Sequence, residues 1–91
     1  MNLGQAIKTI RKKKGMSQKD LAGKAGISAN ALCSIERDEA WPTKTTINLI
    51  CDALEIPVSA LLFASIEEQD VPTYSRATFL ALREPIVKLF V

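Results

Sequence analysis

The side chains with the most chemical reach in this sequence are cations, and they are unevenly placed. Of 12 lysines and arginines, nine fall in residues 1–46 against four Asp or Glu, a local charge of +5; residues 47–91 carry three against six, or −3, leaving +2 overall. Such segregation points to an anionic partner for the N-terminal half. The usual groups of covalent catalysis are missing. There is no histidine, which removes the commonest general base and the commonest zinc ligand together. Cys33 and Cys51 form no paired metal motif, and no glycine-rich loop is present to cradle a phosphate. The sequence therefore reads as a binding protein with no catalytic residues, no metal and no cofactor.

The elements that must position these cations are helices. Apolar residues make up 47% and charged residues 24% of the 91, the balance of an ordinary globular chain with one core and a modest appendage. Aromatics are only 5%, so the core has to be aliphatic, and Ala, Leu and Ile recur at helical spacing throughout: the fold class is all-α. No apolar stretch approaches the ~20 residues of a membrane span, and the N-terminus runs directly into a lysine-rich amphipathic segment unlike a signal peptide. Two thiols within helix-like segments fit a reducing cytoplasm.

Leu3, Ala6, Ile7 and Ile10 mark one face of a first helix over residues 3–14, which Gly15 stops after the run Arg11-Lys12-Lys13-Lys14. Ser17 caps a second helix starting at Gln18, with Asp20 completing a capping box and Met16 and Leu21 at staple spacing. Gly26 ends it. Ser28 then caps a third helix, Ile27 and Leu32 repeat the staple, and Ala31, Leu32 and Ile35 form the apolar side, leaving Ala29, Asn30, Cys33, Ser34 and Arg37 on the others. Two capped helices joined by about three residues have the layout of a helix-turn-helix unit. Trp41-Pro42 breaks the pattern, Thr43 caps a fourth helix striped by Ile47, Ile50, Cys51 and Leu54, and Val58, Leu61 and Leu62 make a short fifth ending near Phe63.

The run Ser17-Gln18-Lys19-Asp20-Leu21-Ala22-Gly23-Lys24-Ala25-Gly26-Ile27-Ser28, followed by Leu32, Ile35-Glu36-Arg37 and Trp41-Pro42, resembles the Cro and phage-repressor (XRE-type) family of helix-turn-helix regulators over about residues 3–63. The resemblance implies a five-helix DNA-binding domain over residues 1–64 and a sequence-specific transcriptional regulator, a repressor, of double-stranded DNA; because one such unit reads little sequence, two copies on a palindromic operator are expected, which predicts a homodimer. It assigns the third helix to the major groove, with Ala29, Asn30, Cys33 and Ser34 as base readers: the Asn30 carboxamide can pair with adenine, and Ala29 can touch a thymine methyl. Cys33 is an unusual residue there. Gln18, Lys19, Arg37, Thr43 and Lys44 are implied phosphate contacts, and Arg11 and Glu36 an ion pair tying the first helix to the third. Each also has a plainer reading, Asn30 as a solvated residue near a cap and the lysines as solvated surface charge.

Residues 65–91 lie outside the resemblance. Ser65 to Asp70 reads as an acidic linker, Tyr74, Ala77, Leu80 and Ala81 place a helix over about 74–83 with Thr73 as its cap, Pro85 forbids smooth continuation, and residues 86–91 form a helical turn or a strand. Tyr74, Phe79, Leu80, Leu82, Ile86, Leu89 and Phe90 are too many apolar groups for a solvated chain end, which predicts a dimerisation element. Two alternatives stand beside it: the extension folds back on its own monomer, or it binds a partner protein, as in an antitoxin-like or adaptor subunit.

Overall fold

The computed structural model describes residues Met1 to Val91, which form six helices and no strand: α1 (Leu3–Lys13), α2 (Gln18–Ala25), α3 (Ala29–Glu36), α4 (Lys44–Leu54), α5 (Val58–Ser65) and α6 (Arg76–Val87). Side chains set the helix starts. Asn2, Ser17, Ser28 and Thr43 each accept a hydrogen bond from the backbone N–H three residues on, supplying one of the donors a helix start leaves orphaned. At α2 the capping box is complete, because the Asp20 carboxylate accepts in return from Ser17 N–H at 3.1 Å. That backbone bond, then the Ser17 hydroxyl, holds the Asp20 carboxyl below its ordinary range. Gly26 ends α2 in the left-handed region at φ 73°, where a glycine is unstrained.

The core consists of sixteen buried residues running from Leu3 to Ala64, all within the first five helices and their turns. α2 packs on α3 and α4, and α1 packs on α3 and α5. Cys51 is sealed in this core, and burial pushes its thiol up to about 11, so it behaves as a small apolar residue. Gly4 permits the α1–α3 approach. A Cβ there would stand 2.3 Å from the Ile35 carbonyl oxygen, so a side chain cannot be accommodated without moving one helix. No single helix is long and apolar enough to cross a membrane.

The extension differs from expectation in three respects. The acidic segment is structured: Glu68–Asp70 form a 3-10 turn, pinned by the α-amino group of Met1 against Asp70 (2.5 Å) and Glu67 (3.4 Å). Thr73 caps no helix; it opens a second 3-10 turn, and α6 begins at Arg76. The helix continues through Pro85 to Val87 instead of stopping near residue 83, and the tail after it is a turn rather than a strand. Proline is tolerated because Ala81 and Pro85 both face solvent, so water can serve the carbonyl that loses its partner.

α6 does fold back on its own bundle, but lightly. Phe79 lies against Phe63 with ring centroids 6.3 Å apart, and the Arg83 guanidinium donates to the Ala64 carbonyl at 3.3 Å. Against α1 it makes an exposed Lys13–Glu84 pair at 3.4 Å, beside a cleft of 320 Å³ lined by Gln5, Thr9, Lys13, Arg83 and Val87 among others. No residue of α6 is fully buried.

Candidate nucleic-acid interface

The first turn of α3 stands clear of the protein. Ser28, Ala29, Asn30 and Ala31 are all exposed, whereas Leu32, Ile35 and Glu36 behind them are buried. A helix whose opening turn projects this way can offer side chains, backbone N–H groups and a positive dipole end to an anionic groove. Ala29 and Asn30 lie on the projecting turn; Cys33 and Ser34, one turn further in, are half-buried. Ala31 departs from expectation: its apolar character and its i+4 relation to Ile35 predict burial, but it is exposed. The crease between α2 and α3 begins only at Leu32, which leaves Ala31 beside Asn30 on the surface.

A buried charged cluster braces α3 from behind. Arg11 grips Glu36 with two bonds, Nε to Oε2 at 2.8 Å and Nη2 to Oε1 at 3.0 Å, and its Nη1 donates to the Met16 carbonyl at 2.8 Å. Both charged side chains are almost sealed from solvent. Planar guanidinium and carboxylate match in this fork geometry, and the backbone carbonyl takes up a donor the carboxylate does not. Glu36 Oε1 also accepts from Gln18 Nε2 at 3.0 Å. One carboxylate thereby fixes α1, the turn before α2, the first residue of α2 and the far end of α3.

That bond qualifies the part Gln18 can play. One N–H of its carboxamide is committed to Glu36, so the second N–H and the oxygen are what it can present outward from its half-buried position. Beside it, the backbone N–H groups of Gln18 and Lys19 lie ahead of Asp20, the first residue whose N–H the Ser17 cap takes up. Lys19, Arg37 and Lys44 are exposed, and so is Thr43. The Thr43 hydroxyl is already occupied, accepting from Thr46 N–H at 3.2 Å and bonding the Thr46 hydroxyl at 3.0 Å, so it shapes the start of α4 more than it can reach outward.

The residues named for dimerisation separate into two sets. Phe79 and Ile86 are half-buried against their own chain, while Tyr74, Leu80, Leu82, Leu89 and Phe90 remain exposed, Tyr74 at 89% and Leu89 at 76%. Reasoning from sequence does not single out Gly4, which carries no signal beyond its small size in a helix; Trp41 enters there as the break before Pro42 and as part of the family resemblance, with no contact assigned to it.

Comparison with known proteins agrees with this geometry. The helix-turn-helix family profile matches residues 7–61. The immunity repressor protein of Bacillus phage phi105 is 44% identical over 62 residues, covering 68% of this chain and 43% of the repressor. The HTH-type transcriptional regulator SinR of Bacillus subtilis is 39% identical over 61 residues, covering 66% of this chain and 55% of SinR. The chain thus matches only about half the length of these relatives, both of which are named as regulators and not as enzymes. Among solved structures, a mutant of the restriction-modification controller protein C.Esp1396I superposes with a TM-score of 0.69 at 34% identity, over 75% of this chain and 88% of that one. The clp gene regulator ClgR from C. glutamicum gives 0.68 at 26%, over 70% and 83%. From the projecting turn, the braced helix pair and these matches, the chain belongs to the helix-turn-helix family, in its Cro and phage-repressor branch.

Proposed function

We propose that this chain is a sequence-specific DNA-binding transcriptional regulator, acting as a repressor, which occupies a palindromic operator as a homodimer with the first turn of α3 in the major groove. The observation that carries this reading is the exposure of all four residues Ser28 to Ala31 at the head of a helix whose other end is braced by a buried ion pair. Asn30 pairs with adenine through its carboxamide, Ala29 and Ala31 meet methyl groups, and Ser34 and Cys33 contribute at the edge. Gln18, Lys19, Arg37 and Lys44 hold the phosphates and set register, with the start of α4 at Thr43 beside them. The name of the phage relative, an immunity repressor, supports repression.

The homodimer is supported by the state of the extension, in which α6 buries no residue fully and five large apolar side chains stay in solvent, Leu80 and Leu82 on α6 and Tyr74, Leu89 and Phe90 beside it. A second copy covers such a face on both chains at once. The same face serves a partner protein instead if the chain sediments as a monomer while still binding its operator.

Selection of bound sites from random duplexes tests the proposal. The recovered sites should share an inverted repeat with half-sites about one helical turn, roughly 10 base pairs, apart. Affinity should fall with salt at a log–log slope of about −0.9 per phosphate neutralised. Recovery of sites with no common motif would overturn sequence-specific regulation.

A further inference from the structure

Outside the extension, the large apolar side chains left in solvent are Met1, Trp41, Leu49 and Leu62. Trp41 is the biggest of them, the only tryptophan in the chain and 67% exposed. It stands in the loop between α3 and α4, and that loop is firmly held. Asp38 N–H donates to the Ile35 carbonyl at 3.1 Å, Glu39 N–H donates to the Ser34 carbonyl at 2.9 Å, and the Asp38 carboxylate accepts from Gly4 N–H at 3.3 Å. Pro42, next to Trp41, is buried. The indole is thus displayed on a fixed support, between the exposed Arg37 at the end of α3 and the exposed Lys44 at the start of α4. The loop's two acidic side chains are engaged elsewhere, Asp38 with Gly4 and Glu39 with the Arg37 guanidinium at 3.7 Å.

We propose that Trp41 docks on the sugar–phosphate backbone of the bound duplex, its ring against a deoxyribose and its Nε1–H donating to a phosphate oxygen, an inference that rests on the DNA-binding reading above. The chemistry of the two surfaces corresponds. A DNA strand alternates apolar sugar with anionic oxygen, and an indole offers an apolar body with one donor and no acceptor. Because the loop is already ordered, little conformational freedom is lost on contact. Such a contact reads no base edge, so it strengthens binding evenly across sequences and helps fix how α3 sits in the groove.

The lone tryptophan makes this directly measurable in the full-length chain with a duplex recovered by site selection. On binding, its emission should shift to the blue and become less accessible to acrylamide. Trp41→Ala should weaken binding by about tenfold, equivalent to about 1.4 kcal/mol, and by a similar factor on every variant of the site. Trp41→Phe should recover part of the loss, and both variants should melt where the wild type does. Tight binding with unchanged emission and an unaffected Trp41→Ala would overturn the inference while leaving DNA binding intact. A melting temperature that falls in step with affinity would also overturn it, as would an emission shift produced by self-association alone. Failure of the wild-type chain to bind any selected duplex would overturn both this inference and the DNA-binding reading.

Discussion

Glu36 accepts three bonds behind the proposed reading surface, two from Arg11 that lie out of water and one from the half-buried Gln18. A paired charge in such a place is costly to break singly, because the partner is left buried and uncompensated, at about 3 to 5 kcal/mol. Glu36→Ala should therefore lower the melting temperature together with operator affinity, and an unchanged melting temperature would refute the bracing role. Glu36→Gln separates the two functions. It keeps an oxygen for Arg11 or Gln18 but loses the charge, so it should melt between the wild type and the alanine variant. Arg11 and Glu36 were legible in the sequence only through the family resemblance, since nothing about their 25-residue separation announces a pair. The bond from Gln18 was not legible at all, because it depends on how closely α2 and α3 pack.

At the level of helices, the α1–α3 contact is set by the absence of a side chain. Gly4→Ala should cost about 1 to 3 kcal/mol, the usual range for overpacking a tight site, and should shift α3 relative to α1 because the obstruction is backbone, not a flexible side chain. Thermal melting checks the first expectation, and weakened operator binding at temperatures where the variant is folded checks the second. Stability equal to wild type would mean that the two helices can separate freely. Helix starts were the most readable elements, because Ser17, Ser28 and Thr43 each encode a local hydrogen bond that forms regardless of the rest of the fold. Ends and faces were less so. Ala31 looks like core in the sequence because periodicity reports which side of a helix is apolar, not where the neighbouring helix stops covering it. Pro85 looks like a terminator because the penalty of a mid-helix proline depends on whether water reaches the freed carbonyl, which is a property of the assembled molecule.

For the molecule as a whole, the distribution of the core separates stability from assembly. Every fully buried residue of the main cluster lies at or before Ala64, and the extension adds to it only the partly buried Val87 and Val91. Truncation after Ser65 should leave a folded domain with a modestly lower melting temperature, reflecting loss of the Phe63–Phe79 contact and the Arg83 bond to Ala64. If the proposed homodimer forms through the extension, the truncated chain should sediment as a monomer where the intact chain is a dimer, and should lose far more affinity for a two-half-site operator than for a single half-site. A dimer that survives truncation unaltered would move the interface to the bundle. The charge asymmetry read from the sequence is softened in three dimensions. Lys12 and Lys19 stay exposed on the first two helices, but Glu67 and Asp70 fold back onto the amino terminus and Glu84 onto Lys13.

The light seating of α6 has a quantitative corollary for gene control. In the proposed homodimer α6, which buries no residue fully in its own chain, is covered by a second copy, and assembly then depends on how much protein is present. When most molecules are single, the population of pairs grows as the square of the total, and so does the fraction of operators filled. Doubling synthesis would then raise occupancy about fourfold in that regime, by mass action alone. Control would therefore respond more steeply than in proportion to the amount of protein, without any small-molecule signal.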